Sequence, residues 1–215
     1  MLQAGVIAGM PLYRFNSKII LFIHVPKCGG ASCENMLQEA GGLQSMKAIR
    51  AHPPLPCSPQ HFHGDLLRKL FRPGFYDYAF LVVRNPYDRL ASEYKMRKKL
   101  DPDLPEFNAW TDEVFTGFAK DNFINDNHIR PQKQFHFDGV EIFRFEDGLL
   151  RVMETVLGAC DISCQSMEEA HKNMSEKEIF WARPSTIERI REFYAEDFQF
   201  FSYSTDVEGT ALKLL

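Results

Sequence analysis

Lys18-Ile-Ile-Leu-Phe-Ile-His-Val-Pro-Lys-Cys-Gly-Gly-Ala-Ser32 opens on an unbroken apolar run and closes on small residues. An apolar run rich in branched side chains, without polar alternation, is how a strand covered on both faces of a parallel sheet reads. Pro26 ends that strand. Beyond the loop, Met36, Leu37 and Ala40 recur at helical spacing from Cys33 onward, and Gly41-Gly42 stops them. The segment is therefore strand, loop, helix. A glycine pair ahead of a helix start suits an anion, because glycines let backbone amides approach it and the helix dipole favours negative charge. By itself Gly29-Gly30 also suits a plain tight turn. It is not a Walker A loop, which places lysine after the last glycine, whereas Lys27 precedes both here.

A second segment repeats the arrangement. Tyr78-Ala-Phe-Leu-Val-Val83 reads as another buried strand, and Arg84-Asn85-Pro86 ends it. Asn85 is suited to cap a helix and Pro86 to fill its first turn, so a helix is expected over Tyr87 to Leu100. Arg84 at the strand end and Ser92 two turns into that helix suit a single phosphate; each taken alone is an ordinary strand-end or helix residue. Val140 to Phe145 reads as a third strand. Helices are expected over Asp65 to Phe71, Glu106 to Phe118, Leu149 to Leu157, Ser175 to Phe180 and Pro184 to Tyr194, while the prolines between Arg50 and Pro59 leave a loop. Strands alternating with helices argue for an α/β fold with a central parallel sheet flanked by helices. One domain is expected over 1–215, with 1–17 as lead-in, 18–203 as core and 204–215 as tail.

Composition narrows the function classes. With 25 Lys and Arg against 29 Asp and Glu the chain carries a net charge of −4, and its basic residues are dispersed, so a general nucleic-acid binder is excluded. The longest apolar stretch, Ile19 to Val25, is interrupted by His24 and falls far short of the roughly 20 residues needed to span a bilayer. Residues 1–12 lack the pattern of a secretion signal. Cys28, Cys33, Cys57, Cys160 and Cys164 are too sparse for a disulfide framework or a zinc site, so a reducing cytoplasm and no metal are expected.

His24-Val-Pro-Lys-Cys-Gly-Gly-Ala-Ser32 followed by Val83-Arg-Asn-Pro-Tyr-Asp-Arg-Leu-Ala-Ser-Glu-Tyr94 resembles the sulfotransferase family, which draws a sulfuryl group from 3′-phosphoadenosine 5′-phosphosulfate (PAPS). The resemblance is closest to Golgi-type carbohydrate sulfotransferases and their bacterial relatives. It extends through Ile129-Arg-Pro-Gln132, residues 138–147, His171 to Ser175 and Tyr194 to Tyr203. It implies the P-loop-containing nucleoside triphosphate hydrolase-like fold, with Lys27, Cys28, Gly29, Gly30, Ala31 and Ser32 around the 5′-phosphosulfate and Arg84 and Ser92 on the 3′-phosphate. The family usually has threonine where this chain has Cys28, which exchanges a hydroxyl for a weaker thiol donor. A trimmed Golgi anchor would change the expected compartment.

Sulfuryl transfer to a hydroxyl needs a base, charge on the departing phosphate, and in-line positioning. Lys27 supplies the charge. Heparan sulfate 2-O-sulfotransferases carry a His-x-His similar to His61-Phe-His63, with one histidine implied as base, so His61 or His63 is the expected base here. If that tripeptide is extended, both rings point the same way. His24 is expected to be a satisfied core histidine, and His52, His128, His136 and His171 carry no independent signal. Lys95, Arg97, Lys98 and Lys99 read as a solvated face or a steering patch for an anionic glycan. Arg130 and Gln132 are candidates for acceptor or donor contact, and Trp110 and Trp181 for the core or a sugar platform. The expected acceptor is a hydroxyl on a carbohydrate or small molecule. A small-molecule kinase and a non-catalytic nucleotide-binding module are the alternatives, and the oligomeric state is open.

Overall fold

Both long apolar runs become strands in the computed structural model, which describes residues 12–45, 54–163 and 178–215. In chain order the first half comprises β1 (Leu12–Phe15), β2 (Lys18–Ile23), α1 (Gly30–Glu39), β3 (Leu43–Gln44), α2 (Gly64–Leu70), β4 (Tyr78–Val83) and α3 (Pro86–Leu100). The second half comprises α4 (Phe107–Lys120), β5 (Glu141–Arg144), α5 (Leu149–Ala159), β6 (Phe180–Ala182), α6 (Pro184–Phe193), α7 (Ala195–Phe200) and β7 (Leu212–Leu214). The chain divides into two units, residues 1–83 with 134–170 and residues 84–133 with 171–215.

The first unit holds a five-stranded sheet in the order β3-β1-β2-β4-β5. Its centre is parallel as expected: Phe22 pairs with Phe80 across β2 and β4, and Leu81 with Ile142 across β4 and β5. The sheet as a whole is mixed, which corrects the expectation of a parallel one. Only Asn16 and Ser17 separate β1 from β2, and Asn16 has the left-handed φ of 48°. So short a link joins antiparallel strands, whereas parallel ones need a crossover of a dozen or more residues. Leu12 accordingly pairs with Leu21 and Phe15 with Lys18, and β3 adds antiparallel to β1. Residues 12–15 of the expected lead-in are thus part of the sheet. Ile20, Leu21, Phe22, Ile23 and Phe80 to Val83 are buried, with Leu37 of α1, Leu67 of α2 and Val156 of α5. Each such aliphatic side chain contributes about 1.5–3 kcal/mol. β2, β4 and β5 run the same way, so their C-terminal ends lie along one edge of the sheet, where open α/β sheets bind ligands.

The second unit packs α3, α4, α6 and α7 around an aromatic core that includes Tyr87, Tyr94, Phe107, Trp110, Phe115 and Tyr194. Phe115 and Phe193 stack with centroids 3.9 Å apart, and Tyr94 meets Phe107 edge-on at 5.3 Å. Two differences from the sequence reading arise here. Phe180, placed at the end of a helix by its spacing, begins β6, while Ser175 to Lys177 lie outside the described residues. The expected tail is also ordered: β7 pairs parallel with β6, and the amide of Ala211 donates to Asp88 Oδ1 at 2.6 Å.

Candidate functional site

β2 releases the chain at Ile23, and the turn that follows is built from left-handed residues. Lys27 has φ 68° and Gly29 φ 82°, the latter at the N-cap of α1. A non-glycine residue at positive φ is uncommon and concentrates at functional sites. The amides of Ser32 and Cys33 turn back to the Gly29 carbonyl at 3.0 and 3.1 Å, whereas those of Gly30 and Ala31 meet no acceptor among the described residues. No side chain caps this helix. The result is a helix head presenting donors and the positive end of its dipole, a cradle for an anion. Lys27 and Ser32 are partly exposed beside it and Ala31 fully so. Cys28 differs from its neighbours: its thiol is buried and donates to the Pro26 carbonyl at 3.6 Å.

The two glycines are required for different reasons. At Gly29 a Cβ would combine a disfavoured φ with a 2.7 Å approach to Leu149 Cδ1 and 3.1 Å to Phe145, the residues that follow β5. Gly30 has no such backbone constraint, since its φ is not positive. A Cβ there would lie 1.9 Å from His24 Nε2, so the imidazole occupies the space.

His24 lies just past β2 and is buried, as a core histidine would be, but its surroundings are polar. Its Nδ1 donates to Glu34 Oε1 at 2.8 Å. The Gln60 amide donates to the same oxygen at 3.0 Å and lies 3.0 Å from Nδ1. Burial, with Glu34 beside them, pushes the Tyr13 phenol and the Cys33 thiol well above their ordinary values, so neither titrates near neutral pH. Glu34 escaped the sequence reading, although a signal existed. Residues 30, 33, 34 and 37 form the inward stripe of α1, and a glutamate in such a stripe needs a buried partner.

His61 and His63 are both buried but are not used alike. Pro59–His61 is a 3₁₀ turn, so the tripeptide is not extended throughout and the condition under which both rings would point the same way is not met. The His61 ring meets His24 edge-on with centroids 5.2 Å apart, and its Nδ1 is 3.3 Å from Ser58 Oγ. His63 occupies the N-cap position of α2 and faces Phe135, with centroids 6.4 Å apart. His61 packs on the ring that fills the space at Gly30.

In the second unit, Arg84 leads into α3 and both it and Ser92 are partly exposed. Asn85 caps as expected, its side chain accepting from the Tyr87 amide at 3.0 Å. Gln132 holds the main chain of Arg84 from both sides: the Arg84 amide donates to Gln132 Oε1 at 2.9 Å, and Gln132 Nε2 donates to the Arg84 carbonyl at 2.8 Å. Asp197, fully buried, accepts from the amides of Gln132 and Lys133 at 2.9 and 2.8 Å. Burial pushes its carboxyl up, against the pull of Arg89 and those amides. Arg89 donates to the His128 and Arg130 carbonyls. Gln132 thus orients Arg84 through its backbone, and Arg130 is held by Asn127 Oδ1 at 2.8 Å and the Asn122 carbonyl at 3.0 Å.

Three other expectations resolve here. Trp110 belongs to the core, and Trp181 lies half-exposed on β6. In the basic run, Arg97 pairs with Glu93 at 2.7 Å, Lys95 with Glu178 at 3.4 Å, and Lys98 with Glu106 at 3.8 Å. Among the described residues no helix is long and apolar enough to cross a membrane.

A model of the sulfotransferase family matches residues 12–204. No curated protein and no solved structure matches the chain.

Proposed function

Since the chain belongs to the sulfotransferase family, we propose that it moves the sulfuryl group of PAPS to a hydroxyl on a carbohydrate or small molecule, with His61 as base. The observation that carries this reading is the open head of α1, with the amides of Gly30 and Ala31 unclaimed beside Lys27 and Ser32. That donor set fits a phosphosulfate. Cys28 would contribute through its backbone, its thiol being committed to Pro26. Arg84, held by Gln132, and Ser92 would take the 3′-phosphate. In the transfer, His61 accepts the hydroxyl proton as the acceptor oxygen bonds to sulfur. The bond from sulfur to the bridging oxygen breaks, and Lys27 meets the charge that develops there. His61 is chosen as base for its contact with His24, whose other edge reaches Gly30. No metal is invoked, and a single domain with its core over 18–203 would carry the reaction, in the cytoplasm.

Calorimetric titration with adenosine 3′,5′-bisphosphate, beside ATP and adenosine 5′-phosphate, tests the donor site without knowledge of the acceptor. Binding that depends on the 3′-phosphate is the expected result. Preference for ATP with magnesium would favour a kinase instead, and donor binding without turnover on any hydroxyl acceptor would favour a non-catalytic module.

A further inference from the structure

One imidazole touches both halves of the proposed chemistry. On its Nδ1 edge, His24 is tied to Glu34 at 2.8 Å, and Gln60, the residue before His61, donates to the same carboxylate oxygen at 3.0 Å. A single oxygen therefore joins the end of β2, the first turns of α1 and the turn that carries His61. On its opposite edge the ring fills the volume a side chain at Gly30 would need: a Cβ there would lie 1.9 Å from Nε2, 2.2 Å from Cδ2 and 2.4 Å from Cε1. The ring is also an edge-to-face surface for His61, at 5.2 Å between centroids. His24, Glu34, Gln60 and His61 are each less than one-tenth exposed, so the arrangement is locked by packing as well as by hydrogen bonds.

We propose that His24 is a positioning residue for sulfuryl transfer, wedged against Gly30 and held by Glu34 and Gln60 so that it sets the head of α1 and the orientation of His61 together. This rests on the reading of the 26–32 loop as the donor cradle and of His61 as base. The ring and the missing side chain at Gly30 form a complementary pair. Gly30 has no positive φ to bar a side chain, and the three atoms nearest to an added Cβ all belong to the ring.

That complementarity supplies the test, a double-mutant cycle on adenosine 3′,5′-bisphosphate affinity with thermal unfolding measured alongside. Gly30→Ala drives a methyl into the ring, and His24→Asn keeps an amide donor for Glu34 while removing the edge that faces Gly30. Gly30→Ala is expected to weaken the bisphosphate about ten-fold or more in the native background, and less than about three-fold in the His24→Asn background, where the ring is gone. A purely structural role would lower the unfolding midpoint without making one substitution rescue the other's affinity. Equal weakening in both backgrounds, or native affinity in every variant, overturns the proposal while leaving the donor site standing. Failure of the native chain to bind the bisphosphate brings down the donor-site reading and this proposal with it. If His24→Asn does not fold, Gly30→Ala, which removes no buried polar group, decides alone: unchanged affinity overturns the proposal.

Discussion

The two strand–loop–helix segments of this chain start their helices in opposite ways. At α1 the N-cap is Gly29 in the left-handed region and, among the described residues, no side chain caps the helix and the amides of Gly30 and Ala31 meet no acceptor. At α3 the Asn85 side chain takes the Tyr87 amide, and Pro86 removes another donor from the first turn. The first segment can bind an anion with its backbone. The second has fewer amides to offer, so on the proposed reading the Arg84 and Ser92 side chains would do the binding, with Gln132 fixing the main chain of Arg84. Similar sequence patterns thus give two differently built helix starts, and the proposed reading assigns each its own mode of recognition.

The sharpest way to break this comparison is at Lys27. Lys27→Ala should lower sulfuryl transfer, measured with an acceptor found by screening hydroxyl compounds, by about 10²–10³-fold while bisphosphate affinity changes far less. Unchanged turnover would remove Lys27 from the mechanism. Arg84→Ala should act on binding instead. It is expected to weaken adenosine 3′,5′-bisphosphate by about 1.5–3 kcal/mol and leave adenosine 5′-phosphate nearly unaffected. Equal losses for both nucleotides would contradict a 3′-phosphate role.

Glu93, next to Ser92 on α3, probes what keeps the second segment rigid. Burial alone would push its carboxyl up, but His128 at 2.7 Å and Arg97 at 2.7 Å outweigh burial and hold it at about 2. A carboxyl depressed in the folded state stabilises it above the unfolded value of roughly 4.3, and that contribution fades as pH falls toward the folded value. Urea unfolding should therefore show Glu93→Gln destabilised by on the order of 3 kcal/mol at pH 7, with the gap to the native chain closing between about pH 4 and pH 2. A gap independent of pH would show that the charge is not what matters. The smallest effect belongs to the cap. Asn85→Ala should cost about 1 kcal/mol of stability, and by freeing the Tyr87 amide it makes α3 resemble α1 at its head. A gain in anion affinity confined to this variant, read by phosphate titration, would sharpen the comparison, and the absence of any stability loss would refute the cap.

Much of the scaffold was legible in the chain. β4 coincides with the run Tyr78–Val83, and α3 begins at Pro86 behind its asparagine cap, because long apolar runs and capping chemistry act locally. The strands β1, β3, β6 and β7 are two to four residues long, too short to show a period, and they exist because a neighbour offers its edge. That is why the sheet is mixed although its apolar runs read as parallel. Among the site residues, the glycine pair, Lys27, Arg84 and the two histidines were visible as residue types in a pattern. Glu34 and Gln60 were not, since a buried carboxylate and amide announce themselves only through their partners.

The chain by itself determined the order of strand, glycine loop and helix, the capped start of α3 and, through two motifs, the family to which the protein belongs. Those features depend on backbone propensity and on residues close in sequence. Tertiary structure alone decided that the His24 ring fills the place of a side chain at Gly30, that His61 packs on that ring, and that Gln132 grips Arg84 from 48 residues away. Each of these is a packing or hydrogen-bond relation between residues distant in the chain. Only the closed fold creates the burial that makes such partners obligatory.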